Sequence, residues 1–252
     1  MSRFSHENPN HACSLIASPA EWLAARLELL HAEKEHTRQR DALAARRRAL
    51  PWVRLTKDYV FASPAGEVSL AGLFGDRSQL IVYHFMFGPG WEEGCKSCSW
   101  VSDHFDAMLP HLRARDIAFA AVSRAPLAEL EPFRARMGWR FPWVSSHGND
   151  FNHDFHVSFT PAEIASGRLR YNFAEIPAFP FEEAPGCSVF ARDASGAVFH
   201  TYSTFGRGLD SLIGTYHFLD LTPKGRDEAG LEYPMEWVRY HDRYDAPVSA
   251  AR

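Results

Sequence analysis

The chain has 252 residues, of which 46% are hydrophobic and 13% aromatic, and this apolar content excludes an intrinsically disordered protein. The formal net charge of -4 removes the electrostatic reason to expect binding to a nucleic acid. Four cysteines in a chain of this length exclude a scaffold held together by disulfide bonds, and such usage is typical of a reducing compartment.

The distribution of apolar residues also bears on location. The N-terminal residues contain no apolar run of the kind that forms the core of a signal peptide. The longest apolar run, residues 80–87, is much shorter than the roughly 20 residues that a helix needs to span a bilayer. We therefore expect a cytoplasmic protein that binds neither a membrane nor a nucleic acid.

A long helix is predicted near the N-terminus. Ser18-Pro19-Ala20-Glu21 has the spacing of a capping box, with proline at the first helical position. The segment that follows is free of glycine and proline until Pro51, where the helix should end. We therefore expect residues 1–17 to be a mobile N-terminus and residues 18–56 to form a helical extension.

Beyond residue 57 the pattern changes to short segments rich in β-branched and aromatic residues, which alternate with amphipathic segments. The order strand, helix, strand, helix, strand predicts an α/β fold whose parallel strands are joined by right-handed crossovers. Residues of about 147–185 do not fit this alternation, so we expect an insertion before a closing hairpin. The three strands are predicted within QLIVYHFMF (79–87), IAFAAVSRA (117–125) and RFPWVSS (140–146).

Two of the four cysteines, Cys95 and Cys98, stand between the predicted central strand and the helix that follows it. Three residues apart in the first helical turn, their sulfurs are able to meet and close a disulfide. The unpaired amides at the start of the helix and the charge of Lys96 favour a thiolate at Cys95. We expect Cys95 to attack a disulfide as the catalytic nucleophile and Cys98 to resolve the mixed disulfide.

Three other interpretations of this pair remain open. A structural zinc site needs four ligands, which would require Cys187 together with His84 or His104. The two cysteines are alternatively plain core residues. A thiol peroxidase of the peroxiredoxin type carries a hydroxyl residue between a proline and its reactive cysteine, and this chain has Glu92 at that position. We expect no metal and no cofactor.

Other side chains are candidates to line a site around the pair. Trp91 and Glu93 adjoin the cysteines and are expected at a rim that a substrate meets. Tyr202 and Arg207 belong to a mixed polar and aromatic block, which is either a pocket wall, with Arg207 holding an anionic group, or a strand end with its loop. Cys187 is either a third redox partner or a core residue, while Cys13 has no neighbour with which to react. The candidate lining residues are Trp91, Glu93, Lys96, His84, Cys187, Tyr202 and Arg207.

Four segments together resemble a known family. They are LIVYHFMFGPGWEEGCKSCSW, WVSSHGNDFNHDF, SVFARD and HTYSTFGRGLDSLIGTYHFLDLTPKGRDE. The chain is similar, over residues 21–228, to a thioredoxin-like family of predicted dithiol-disulfide oxidoreductases known as domain of unknown function 899.

This resemblance implies a thioredoxin-like three-layer fold with a central mixed sheet, preceded by the N-terminal helical extension. The thioredoxin-like domain would span residues 57–223, including the insertion, and residues 224–252 would form a loosely organised C-terminal tail. The resemblance matches Cys95 and Cys98 to the redox pair of that fold. The chain departs from the thioredoxin pattern at Lys96-Ser97, where that fold has Gly-Pro, and shows no clear match near Pro185 to its cis-proline.

The resemblance does not bring a substrate. We expect the disulfide of a protein or of a small molecule as the partner, and exposed aromatic residues in the insertion are compatible with a homo-oligomer. A different class of function remains open, namely a non-catalytic binding module of the same fold whose cysteines are structural or hold a metal.

Overall fold

The computed structural model describes residues 16–244. Residues 1–15, with Cys13 and most of the expected mobile N-terminus, and residues 245–252, the end of the expected tail, lie outside the described residues. Within 16–244, no helix combines the length and the apolar character that crossing a bilayer requires.

The predicted N-terminal helix is confirmed as α1 (Pro19–Arg48). The Ser18 N–H donates to the Glu21 carboxylate over 2.8 Å, and the Glu21 N–H donates back to the Ser18 hydroxyl over 3.3 Å. This reciprocal pair is the predicted capping box, and it satisfies amides that the first helical turn leaves free. No residue of α1 is buried, because the helix runs along the outside of the molecule.

An eight-stranded sheet forms the centre of the molecule, and a two-stranded sheet lies within the insertion. The strands are β1 (Val53–Arg54), β2 (Val60–Ser63), β3 (Gly66–Ser69), β4 (Gln79–His84), β5 (Ile117–Ser123), β6 (Trp143–Ser145), β7 (Leu169–Tyr171), β8 (Ala174–Ile176), β9 (Gly186–Arg192) and β10 (Val198–Phe205). The order across the large sheet is β1-β10-β9-β4-β5-β6-β2-β3, and β7 pairs with β8.

Six further helices connect these strands or cover the sheet. They are α2 (Lys96–Ser102), α3 (Phe105–Arg113), α4 (Leu127–Arg136), α5 (Phe151–Asp154), α6 (Pro161–Ser166) and α7 (Gly214–Leu219), and shorter 3-10 turns occupy Gly72–Phe74, Gly206–Leu212 and His241–Arg243.

Strands β4, β5 and β6 are parallel neighbours, and β9 and β10 add to β4 as an antiparallel hairpin. Helices α2, α3, α4 and α7 cover one face of this mixed sheet, and the insertion with α5 covers the other. The predicted α/β architecture of three layers around a mixed central sheet is therefore confirmed. The crossover from β4 to β5 and the crossover from β5 to β6 run in the same direction across the sheet with the same hand. They therefore place α2–α3 and α4 on one face.

Strand β4 delivers the chain to the cysteine pair. The backbone pairing of β4 with β5 continues past His84, the last residue of β4. The Phe85 N–H donates to the Val122 carbonyl over 2.9 Å, and the Ala125 N–H donates to the Phe87 carbonyl over 2.8 Å. The loop with the cysteines therefore starts from the carboxyl end of a central strand.

The sequence predicts one continuous helix after the pair, whereas the structure shows two, α2 and α3, with a turn at Asp103 and His104. The Trp139 indole donates to the Asp103 carboxylate over 2.9 Å, and His241 Nδ1 lies 2.7 Å from the same carboxylate. These contacts come from residues outside the helix and hold the chain at the turn. The sequence of the helix itself therefore does not predict the turn between α2 and α3.

The face of the sheet that α5 covers is packed around Phe151, whose ring lies 5.0 Å from those of Tyr59 and Phe61. Replacing this buried side chain by alanine should lower the free energy of unfolding by about 3–5 kcal/mol, because it leaves a cavity. Phe218→Ala is the matched control, since that side chain is 74% exposed. Denaturant unfolding measures both, and equal stabilities for the two variants would contradict this packing.

Candidate active site around Cys95 and Cys98

Cys95 caps the start of α2 and is partly exposed. Its N–H donates to the Met86 carbonyl over 3.0 Å, which closes the loop back onto the end of β4. Its sulfur accepts the Cys98 N–H over 3.5 Å. The first helical turn therefore directs a backbone donor at the Cys95 sulfur.

Cys98 lies one turn further on and is buried. It packs in the apolar core with Tyr83, which projects from β4 beneath the pair. Both cysteines are free thiols, so the structure represents the reduced form of the pair. Cys95 and Cys98 therefore have different surroundings, because Cys95 lies at the surface and Cys98 in the core.

These surroundings separate the pKa values of the two thiols. The Cys98 side chain, the amides of Cys98 and Ser97, and the charge of Lys96 together lower the pKa of Cys95 to about 7, against the effect of burial. Burial and the neighbouring Cys95 hold the pKa of Cys98 well above its usual range. The arrangement favours a thiolate at Cys95 and a neutral thiol at Cys98.

A turn ahead of the pair positions Trp91. The Trp91 indole donates to the Glu182 carboxylate over 3.1 Å, and the Gly90 N–H donates to the Glu129 carboxylate over 3.0 Å. The first contact ties this loop to the insertion and the second ties it to α4.

The C-terminal segment packs over the pair. The Tyr240 hydroxyl donates to the Gly94 carbonyl over 2.6 Å, and Lys96 Nζ donates to the Glu236 carbonyl over 2.8 Å. Val238 between them has no exposed surface. Residues 224–244 contain few regular elements, but residues 236–243, which we call the strap, pack against the loop that carries the pair.

Ion pairs hold the strap in place. The Arg136 guanidinium lies 2.8 Å from Asp242, and Arg243 donates to Glu93 over 2.9 Å. Burial opposes the charge of Glu93, but hydrogen bonds from Arg243 and Arg136 outweigh it and lower its pKa. Glu93 is therefore ionised but paired, so it opposes a thiolate at Cys95 much less than its sequence position suggests.

A family model described as a bacterial protein of unknown function, DUF899, matches residues 12–244. The chain belongs to the DUF899 family. The membership expected from the sequence is confirmed, and the match extends through the strap to the end of the described residues.

Several solved structures are similar to this DUF899 chain. A peroxidoxin, BcpB, from Mycobacterium tuberculosis is 13% identical, with a TM-score of 0.42, and the match covers 66% of this chain and 94% of that one. The bacterioferritin comigratory protein of Xanthomonas campestris, described for its alkyl peroxide reduction activity, is 14% identical with a TM-score of 0.40 over 64% and 94%. A putative thiol:disulfide interchange protein DsbE from Chlorobium tepidum is 14% identical with a TM-score of 0.39 over 66% and 99%. No curated protein matches the sequence.

The structure brings Trp91, Glu93 and Lys96 to the neighbourhood of the pair, but it does not bring His84 there. His84 follows Tyr83 in β4, and successive residues of a strand point to opposite faces. Its ring stacks on Phe151 and Phe155 in the core of the other face.

Of the three remaining candidates, Tyr202 and Arg207 lie away from the pair, and Cys187 is separated from it by Tyr83. Cys187 is the cross-strand partner of Tyr83 and shares its face of the sheet. Cys187 and Tyr202 line a cavity whose wall includes neither Cys95 nor Cys98. Arg207 belongs to the 3-10 turn after β10, where its side chain is 86% exposed and pairs with Asp210 over 3.0 Å. Cys187 therefore adjoins the pair through Tyr83, whereas Arg207 lies at the surface.

The strand geometry also bears on a zinc site that would use Cys187 and His84. The two side chains project from opposite faces of the sheet. In the part of the chain that the structure describes, no three histidine, cysteine or acidic side chains are grouped to hold a metal ion.

Sequence reasoning missed Tyr83 and the strap residues Val238, Tyr240 and Asp242. The available signal was composition, because the expected tail contains Tyr233, Trp237, Tyr240 and Tyr244, and aromatic residues at this density are typical of a packed segment. Tyr83 was hidden in a continuous apolar run, where the face of each residue is not evident.

The low pKa of Cys95 predicts how its reactivity changes with pH. Alkylation by iodoacetamide requires the thiolate, so the rate at Cys95 should rise through a midpoint at a pH of about 7. Cys98 should stay unreactive over the same range, because its pKa is raised. Mass spectrometry of quenched samples assigns the modified residue, with Cys95→Ser as the control. A midpoint near that of a free cysteine, about 8.5, would contradict the assignment.

The hydrogen bond from the strap to Gly94 predicts a stability effect. Tyr240→Phe removes the donor and leaves a buried carbonyl unpaired, so the free energy of unfolding should fall by about 1 kcal/mol or more. Tyr233→Phe is the control, because its half-exposed ring contacts Lys96 and not this carbonyl. Equal stability of the two variants would show that the strap does not depend on this bond.

Proposed function

We propose that this DUF899 protein is a thiol-disulfide oxidoreductase in which Cys95 is the nucleophile and Cys98 the resolving thiol. The observation that carries the proposal is the difference between the two thiols. Cys95 is partly exposed and has a pKa lowered to about 7, whereas Cys98 is buried beside it with a raised pKa. A pair of this kind supplies an attacking thiolate and a second thiol held in reserve.

The chemistry balances without a cofactor. The Cys95 thiolate attacks one sulfur of a substrate disulfide, forms a mixed disulfide, and releases the other half of the substrate as a thiolate, which takes up a proton. Cys98 then loses its proton and attacks the Cys95 sulfur, which closes the Cys95–Cys98 disulfide and releases the second substrate thiol. The protein dithiol is oxidised, and the substrate disulfide is reduced to two thiols.

The surroundings of Cys95 support this course. Lys96 and the amides of the first turn of α2 stabilise the thiolate in the ground state. Burial in the core and the neighbouring Cys95 hold Cys98 as a neutral thiol until the mixed disulfide forms. We further propose a protein or small-molecule disulfide as substrate, and the cytoplasm as the compartment, where thiol reductants regenerate the dithiol.

The test follows reduction of hydroxyethyl disulfide and of insulin by the full chain in the presence of excess thiol reductant. Cys95→Ser should abolish the reaction, because it removes the nucleophile. Cys98→Ser should accumulate a mixed disulfide at Cys95, visible as the added mass of half the substrate. Cys187→Ser is the matched control and should retain turnover, since Cys187 lies outside the pair.

Three results would overturn the proposal. Turnover that survives Cys95→Ser would exclude Cys95 as the nucleophile. Consumption of hydrogen peroxide that depends on Cys95, with no reduction of either disulfide, would instead identify a thiol peroxidase. Full retention of thiol titre under oxidised glutathione, with no activity in either assay, would favour the non-catalytic binding module.

A further inference from the structure

A second feature on the same face of the sheet is a cavity of about 440 Å³, separate from the thiol pair. It lies between β9 and β10, helix α3 and the 3-10 turn Gly206–Leu212. Its lining residues include neither Cys95 nor Cys98. The proposed function leaves this space without a role.

The inner end of the cavity is apolar. Tyr83, Phe105 and Phe119 form it and are at most 6% exposed, and Cys187 lies beside them. The side walls include aliphatic and thioether groups from Ile81, Met108, Leu112, Val189 and Leu212, beside the polar side chains of His104, Thr204 and Ser211. Transfer of a hydrocarbon chain from water to this cavity would be favourable, because the aliphatic, thioether and aromatic-ring surfaces that dominate its wall need no hydrogen-bond partner.

The outer end is polar and positively charged. Arg47 from the last turn of α1 lies there, exposed, with its guanidinium 5.6 Å from the centre of the Tyr202 ring. Among the ion pairs within residues 16–244, none involves Arg47. The cavity therefore combines an apolar interior with a cation at its mouth that no acidic side chain of residues 16–244 pairs.

We propose that this cavity binds an unbranched carboxylate, with the hydrocarbon chain against Tyr83 and Phe119 and the carboxylate at Arg47. At about 30 Å³ per heavy atom, the volume admits about 15 such atoms, which corresponds to a medium-length chain. Charge complementarity selects the anionic head group over a neutral one. This site is independent of the thiol chemistry proposed above.

The experiment titrates the full chain with decanoate and with decanol by isothermal calorimetry. Wild type should bind decanoate with one site. Arg47→Ala should weaken decanoate binding about tenfold, because it removes a charge-assisted hydrogen bond, and leave decanol binding unchanged. Arg46→Ala is the matched control on the same helix end. Equal weakening by both variants would overturn the role of Arg47.

A second pair of variants tests the cavity itself without disturbing the core. Leu212 stands at the mouth and is 37% exposed, so Leu212→Trp should block entry while the protein folds normally. Leu221→Trp, at a side chain 82% exposed and outside the cavity, is its control. Decanoate binding that persists in Leu212→Trp would overturn the proposal, and so would an absence of decanoate binding to wild type.

Methyl-labelled methionine locates the ligand. Met108 lines the cavity, whereas Met86 and Met137 are buried elsewhere in the same core. Decanoate should shift the Met108 methyl resonance, assigned with Met108→Leu, and leave the other two in place. The same titration with Cys95→Ser should give the same shift, so loss of thiol activity and loss of this site are distinguishable.

Discussion

The position of the reactive cysteine depends on one close approach between backbone and ring. A Cβ added to Gly94 would lie 2.5 Å from the nearest atom of the Phe85 ring and 3.1 Å from that of Phe133. Only glycine lets the chain pass these rings at this distance, and only then does the Cys95 N–H reach the Met86 carbonyl. The aromatic core beneath the loop therefore determines where the sulfur lies.

Cys95 and Cys98 carry identical side chains but differ in acidity. The contact of Gly94 with the Phe85 ring places Cys95 at the surface, and Cys98 lies one helical turn deeper. The Cys95 sulfur meets the Cys98 amide and the charge of Lys96, while Cys98 is buried in the apolar core beside Tyr83 and its partner thiol. Two thiolates this close together repel each other, so ionisation of Cys95 raises the free energy of ionising Cys98. The asymmetry that the proposed reaction needs follows from the hydrogen bonds and the Lys96 charge at Cys95 and from burial at Cys98, without a histidine or a carboxylate.

The parts of this structure that the sequence predicts are those decided by neighbouring residues. The Ser18 capping box forms as its spacing indicates, because its partner Glu21 is three residues away. Strands β4, β5 and β6 follow from their composition. The strap over the pair escaped prediction, because the contact between Tyr240 and Gly94 joins residues 146 apart in the chain. The aromatic residues of the strap indicate that it packs, but no local pattern identifies the segment against which it packs.

His84 shows why residue type alone misleads in a buried strand. Its Nε2 lies 2.8 Å from the Ser188 hydroxyl, which lies 2.8 Å from that of Ser203, and Ser203 lies 2.7 Å from His200 Nε2. Burial, with a smaller effect of His200, lowers the pKa of His84 to about 3, so the ring is neutral at any moderate pH. A neutral imidazole within this chain of hydroxyls joins β4, β9 and β10 by hydrogen bonds and does not serve as an imidazolium acid at moderate pH. Because β4 alternates between its faces, the same strand places a structural histidine on one side and Tyr83 on the other, where its ring forms part of both the thiol core and the wall of the cavity.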